Sequence, residues 1–234
     1  MTAMFHATTS IATVYLPGTF LGEVPPDDLE ALEAAGRRQP QTAGSTLFVE
    51  GEGAGRVLII TQGRVKIFAT TETGRSVLRG IRGPGDIVGE LSAVDGQPRI
   101  ATATMLDHGE VLVIPAEVFH SFLDERAGIA STLVRILAVR LRDADRSRTM
   151  FGAHDCATRL ARILLELAER HGCPEGDGTL IDIPLTQQDL ADWVGASREA
   201  VTKALHSFRR GGIIETRRRA IVVHDLAGLQ KRAN

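Results

Sequence analysis

Apolar positions along the chain change their period twice. From Ser45 to about Pro115 they fall in short alternating or β-branched runs: Thr46–Val49, Arg56–Thr61, Arg64–Thr70, Val77–Ile81, Ile100–Leu106 and Glu110–Ile114. Turn chemistry divides the runs, at Gly51-Glu52-Gly53, Gln62-Gly63, Glu72-Thr73-Gly74, Gly83-Pro84-Gly85 and Asp95-Gly96. Many short strands at near-regular spacing predict an antiparallel sandwich or barrel, and a double-sheet jelly roll is the natural form. Ahead of them, residues 1–19 read as irregular. Val24–Ala35 reads as a short helix, with proline near its start, acids in the first turn, and Leu29 and Leu32 three apart.

After Pro115 the period becomes helical. No proline interrupts Ala116 to Phe151. Within that stretch Ala130, Val134, Leu137, Leu141, Ala144, Arg148 and Phe151 alternate at spacings of four and three. That is a coiled-coil seam and predicts a parallel two-helix dimer interface. Its two alanines and its arginine leave packing on the chain's own barrel as the alternative. His154-Asp155 reads as a break, and a second helix runs from about Asp155 to His171 on Leu160, Ile163, Leu164 and Leu167. Cys173–Gly178 reads as a loop and Leu180–Ile183 as a short strand.

Thr186–Arg210 predicts two short helices around a tight turn. Leu190, Trp193 and Val194 share one face of the first; Val201, Ala204, Leu205 and Phe208 share one face of the second. Gly195 can end a helix with positive φ, Ser197 can cap the next one, and Thr186 with Asp189 is a capping-box start. This is a DNA-binding helix-turn-helix pattern. The second helix leaves Arg198 and Glu199 in its first turn, with Thr202 and Lys203 one turn on. Arg198 suits guanine O6 and N7, Glu199 suits cytosine N4, and Lys203 suits guanine or a phosphate. Thr186 and Gln187 lie at the start of the first helix, within reach of the backbone. Two β runs, Ile213-Ile214 and Ile221–Val223, flank Arg217-Arg218-Arg219, giving a wing whose arginines suit phosphates.

Charge sharpens this picture. The chain of 234 residues has a net charge of -2, which alone argues against DNA. From Ser197 onward, however, nine Lys and Arg face three acids, a net +6, while the remainder nets -8. A basic module on an acidic body is a focused electrostatic footprint. The length suits two domains, no run approaches a membrane span, and the first twenty residues lack the Lys or Arg of a signal peptide. A cytoplasmic protein is expected. Cys156 and Cys173 form no CxxC, which argues against an iron–sulfur cluster. Only His108 falls in the strand region, so the clustered ligands of a metal-dependent barrel enzyme are missing. No nucleophile triad or P-loop stands out. Neither metal nor enzymatic activity is expected.

One more constellation lies between the barrel strands and the long helix. Gly89-Glu90-Leu91-Ser92 is followed by Pro98-Arg99-Ile100. A glycine-supported turn beside a fixed guanidinium can cradle an anion, with Arg99 gripping phosphate oxygens and Glu90 taking a sugar hydroxyl. Residue chemistry equally allows Arg99 to pair with Glu90 and bind nothing.

The order of barrel, long helix and winged helix-turn-helix, with GELSAVDGQPRIATA and LTQQDLADWVGASREAVTKAL, closely resembles the CRP/FNR family of bacterial transcription regulators. The resemblance covers about Phe20 to Ala227 and implies an α+β fold. Its parts are an N-terminal antiparallel β jelly-roll of cyclic-nucleotide-binding type (1–115), a long dimerisation helix (116–154) and a C-terminal winged helix-turn-helix (155–234). It implies an effector site of Gly89, Glu90, Leu91, Ser92, Arg99 and Ile100, with Ala144 and Asp145 where the family's adenine-contacting pair falls. It further implies that Arg198 and Glu199 read GTGA-type half-sites of a palindrome in double-stranded DNA, bound by a homodimer that meets RNA polymerase. Thr186, Gln187, Ser197, Thr202, Lys203, Arg217, Arg218 and Arg219 complete the expected DNA contacts. Ile100 lacks the usual hydroxyl, and Ala144-Asp145 replaces a hydroxyl with an acid. Phosphate recognition is thus intact and base recognition altered. cAMP, another cyclic nucleotide or ligand-free operation all remain readings. Haem-binding members use His or Cys, for which His108 and His120 find no partner.

Overall fold

Strand β3 (Arg56–Gln62) shows how the N-terminal half is layered. It is buried on both faces. Leu58 and Ile60 point into one apolar cluster, with Leu47, Phe48, Val65, Met105 and Val111. Val57 and Ile59 point into another, with Phe20, Leu32, Leu112, Phe119 and Ile129. The period of two along a strand separates these faces. The first cluster fills the space between two sheets; the second joins the outer sheet to a coat of helices.

The computed structural model describes residues 15–234 except Thr73, and only the backbone of residues 147–153. Helix α1 (Phe20–Glu23) and α2 (Pro26–Ala35) come first. Strands β1 (Arg37–Gln41), β2 (Thr46–Phe48), β3, β4 (Val65–Thr70), β5 (Ser76–Arg82) and β6 (Ile87–Val88) follow. Helix α3 (Glu90–Asp95), then β7 (Thr102–Met105) and β8 (Gly109–Pro115), close the barrel. One sheet runs β1-β8-β3-β6 and the facing one β2-β7-β4-β5, all pairs antiparallel. The expected jelly-roll-like barrel is therefore formed. Three elements differ from expectation. β1 pairs along β8 although RRQPQ has no apolar alternation, Pro40 being tolerated on an edge. β6 is a two-residue strand, and α3 replaces the expected simple turn.

The long helix is corrected more substantially. It forms as α4 (Ala116–Glu125) and α5 (Ala127–Ala153), broken at Arg126, whose φ of -125° and ψ of 93° leave the helical region. Arg126 Nη1 reaches Asp28 Oδ1 on α2 at 2.9 Å, and its guanidinium lies 5.7 Å from the Phe122 ring centre. The break tucks α4 onto the barrel with Phe119 wholly buried, while α5 runs on. Along α5, Ile129, Thr132, Leu133 and Ile136 face the barrel. In the heptad stripe, Val134 and Leu141 are 65% and 63% exposed. The seam is therefore divided: Leu137 packs against the barrel-side core and Ala144 lines the barrel cavity, while Val134 and Leu141 stay exposed. The side chains of Arg148 and Phe151 in that seam lie outside the described residues, as do residues 1–14 at the expected irregular start.

The C-terminal half comprises α6 (Cys156–His171), β9 (Gly172–Glu175), β10 (Gly178–Ile181), α7 (Gln187–Val194), α8 (Arg198–Arg210), β11 (Ile214–Arg217), β12 (Ala220–Val223) and α9 (Leu226–Ala233). The expected loop at Cys173–Gly178 is instead a tight hairpin that extends the wing into a sheet of order β11-β12-β10-β9. One core unites α6, α7, α8 and α9 and takes in Ile81 and Leu106 from the barrel. Polar links span the same junction. Lys66 Nζ on β4 lies 2.8 Å from Asp189 Oδ1 on α7. Arg64 bridges Asp107 and the Asp182 carbonyl. Among the described residues no helix is long and apolar enough to cross a membrane.

Candidate effector cavity and nucleic-acid interface

β6 is followed by Gly89, the residue that caps α3, whose φ is +78°. A Cβ there would collide with Arg99 Nη1, so glycine lets the guanidinium lie against the chain. Arg99 is 3% exposed. Its Nη1 donates to the Gly89 carbonyl and its Nη2 to that of Arg56, both at 2.5 Å. The guanidinium carbon sits 4.6 Å from the Phe48 ring centre. Its Nε is buried without a partner, and no described carboxylate is within ion-pair distance. Burial, then the neighbouring Arg56, pulls its pKa below the ordinary arginine value.

The expected alternative, Arg99 pairing with Glu90, does not form. Glu90, at the first turn of α3, pairs instead with Arg140 Nη1 of α5 at 2.7 Å. Arg140 Nη2 also donates to the Ile87 carbonyl at 2.8 Å. Sequence reasoning missed Arg140, although it stands one helical turn before Ala144 and so on the same face of α5. A cavity of about 230 Å³ opens among these groups. Gly89, Glu90, Leu91, Ser92, Arg99, Ile100 and Ala144 all line it, so segments 44 or more residues apart meet within one chain. Asp145 does not: it is exposed and off the cavity wall in this chain. Phe48, Arg79, Arg82 and Arg140 join the lining. An uncompensated buried guanidinium beside a carboxylate and apolar walls fits an anion attached to a hydroxylated, partly apolar body. Among the described residues no group of His, Cys, Asp or Glu is placed to hold a metal.

The DNA-facing surface forms as its caps dictate. Thr186 and Asp189 make a reciprocal capping box on α7. Gly195 ends α7 in the left-handed region and Ser197 caps α8, accepting from the Ala200 amide. Gln187, Arg198, Glu199, Thr202 and Lys203 then share one shallow surface with His206 and Arg209. The two helices are tied together there, since the Thr202 hydroxyl donates to Gln187 Oε1 at 2.9 Å and contacts the Arg198 carbonyl. The amide of Glu199 itself, then the Ser197 hydroxyl, hold the Glu199 carboxylate below its usual range. In the wing the expected trio divides. Arg218 and Arg219 occupy the exposed tip, Arg219 with φ +62°. Arg217 lies in β11 and is engaged by Glu215 at 2.8 Å and Glu175 at 2.5 Å. These ion pairs raise its pKa and compete with any phosphate.

Comparison with known proteins decides the family. Residues 158–232 match the Crp-like helix-turn-helix domain and residues 39–126 the cyclic nucleotide-binding domain. The CRP-like cAMP-activated global transcriptional regulator of Mycobacterium tuberculosis is 36% identical over 216 residues, 92% of this chain and 96% of that protein. The chain belongs to the CRP family of transcription regulators. The family is one of DNA-binding regulators rather than enzymes. Among solved structures, the c-di-GMP-responsive global regulator of Xanthomonas campestris superposes with a TM-score of 0.75 at 23% identity, over 86% of this chain and 99% of that one. A CRP/FNR-family regulator from Thermus thermophilus gives 0.71 at 26% identity, over 84% and 98%. Both share the barrel-plus-helix-turn-helix fold with this CRP-family chain.

Proposed function

We propose that this CRP-family regulator works as a homodimer on palindromic DNA, with a cyclic nucleotide in the barrel cavity selecting the DNA-binding arrangement. The observation that carries the effector reading is Arg99: buried, charged, with an unpartnered Nε and no carboxylate within ion-pair distance among the described residues. A desolvated cation of this kind is costly unless an anion joins it. Glu90 would take a ribose hydroxyl and Leu91, Ser92 and Ile100 the rim. The pairing of Glu90 with Arg140 links that site to α5, the helix whose exposed Val134 and Leu141 supply an apolar seam for a second copy. The ligand then favours one setting of barrel against paired helices. In that setting two α8 helices, about 34 Å apart, enter successive major grooves.

Arg198 and Glu199 read base edges in a GTGA-type half-site, Lys203 and Arg209 reach guanine or phosphate, and Arg218 and Arg219 hold the backbone. Thr186, Gln187, Ser197 and Thr202 position the two helices and meet adjacent phosphates. On DNA in the cytoplasm the dimer meets RNA polymerase. A gel-shift titration on a GTGA/TCAC palindrome, with and without cyclic nucleotide, tests the whole reading. Binding that rises with nucleotide supports it. Full binding that ignores every cyclic nucleotide would leave the DNA reading and end the effector one.

A further inference from the structure

The effector cavity has a second lobe. It holds about 130 Å³ and shares Arg79, Arg82, Arg140 and Ala144 with the first as a common wall. Its far side includes Trp193 of α7, the first helix of the helix-turn-helix. The acids around this lobe already have cations: Asp86 lies 3.8 Å from Arg140, Glu166 lies 3.6 Å from Arg170, and Asp143 lies 3.3 Å from Arg170. Arg79 and Arg82 have no carboxylate within ion-pair distance among the described residues. Arg82 is folded back on its own strand, donating to the Ile81 carbonyl at 2.9 Å. The missing Cβ of Gly80 gives it room, since an added one would stand 3.0 Å from Arg82 Nη1. Burial, then Arg140, takes the Arg82 pKa down to about 10, so it remains a cation at neutral pH. Arg99 in the first lobe and Arg79 with Arg82 on the wall shared by both lobes are thus positive groups without an ion-pair partner among the described residues.

We propose that the effector is a nucleotide with two phosphates, a dinucleotide rather than a mononucleotide. This rests on the effector reading above and specifies its ligand. Arg99 and Glu90 take one phosphate–ribose unit. Arg79 and Arg82 take the second phosphate by charge-assisted hydrogen bonds, and the indole of Trp193 offers an apolar face to the second base. Such a ligand touches the barrel, α5 and α7 at once, so it couples the sensor directly to the helix-turn-helix. A mononucleotide on Arg99 leaves the second lobe unused.

Calorimetry on the full-length protein with cAMP, cyclic di-AMP and linear pApA tests this, because all three carry adenine. At least one dinucleotide should bind ten-fold or more tightly than cAMP, and comparing the cyclic with the linear form identifies the source. The pair Arg79→Gln and Arg82→Gln should erase that advantage; both side chains also line the first lobe, so cAMP binding should fall too, but by a several-fold smaller factor than dinucleotide binding. The corresponding lysine pair should restore most of it, which a merely structural role would not do. The chain has one tryptophan, so Trp193 fluorescence should change with the dinucleotide and stay constant with cAMP. cAMP binding at least as tightly as both dinucleotides, or equal losses for all three ligands in the glutamine pair, would overturn the two-phosphate site and leave a mononucleotide effector. Binding of none of the three by the unmodified protein would overturn the effector reading itself.

Discussion

The recognition surface and the effector cavity both depend on arginine, in opposite environments. On α8 the guanidinium of Arg198 stands in water on an exposed helix face, where its charge costs little and waits for a partner. In the cavity Arg99 is buried against two carbonyls and a phenyl ring. Exposed arginines supply contacts that salt screens readily. Buried ones supply a site whose occupancy changes the energy of the fold around it. A regulator needs both kinds: one to hold DNA reversibly, one to report a ligand.

The sharpest way to break that contrast is Arg99→Ala. Losing the buried guanidinium should weaken nucleotide binding by 100-fold or more, about 3 kcal/mol for a charge-assisted contact, with unliganded DNA affinity unchanged; calorimetry and gel shifts read the two separately. The exposed counterpart, Arg198→Ala, should cost about 1–3 kcal/mol of base preference at one half-site position, which a binding-site selection measures. Equal weakening on every sequence would instead make Arg198 a phosphate contact. His171 tests the junction between the two regions. Burial, then the Arg64 guanidinium, lowers it to about 4 from an ordinary 6.5. The folded pKa is depressed, so the native state prefers the neutral ring. Its contribution is full above about pH 6.5 and is lost as pH falls toward 4. Between pH 7 and 5 this costs about 1–2 kcal/mol, and His171→Gln should flatten that part of a Tm-against-pH curve. The smallest effect is the Lys66–Asp189 link. A double-mutant cycle with Lys66→Ala and Asp189→Asn should show about 0.5–1 kcal/mol of coupling.

The same contrast explains what was legible in the sequence. The recognition helix is a local pattern. A period of 3.6 decides which residues face out, and Thr186, Gly195 and Ser197 fix both ends, so α7 and α8 fall within a residue of expectation. The barrel strands were legible for a similar reason, through alternation and glycine turns. The cavity was legible only in part. The GEL cassette and Arg99 were visible, but Arg82 and Arg140 arrive from β5 and α5, and nothing local to Glu90 shows which distant cation it will meet. Edge strand β1 carries no alternation because its neighbour β8, not its own side chains, defines it. The helix break at Arg126 was harder to see, for no proline marks it and Gly128 two residues on is a weak signal; an ion pair to Asp28, 98 residues away in sequence, holds it, and Gly128 leaves room for that carboxylate. Arg217 looked like its two neighbours until the hairpin at Gly172–Ile181 brought Glu175 against it.

Asp189 serves two masters. It closes the first turn of α7 by accepting from the Thr186 amide and hydroxyl, and it also receives Lys66 from the barrel hairpin. Burial works to raise its pKa, but Lys66 and Thr186 outweigh that and leave the carboxylate below its usual range. A push on that hairpin is therefore delivered at the capped first turn of α7, and α8 is joined to that same turn through Thr202 and Gln187, so both helices of the recognition surface share one point of contact with the barrel.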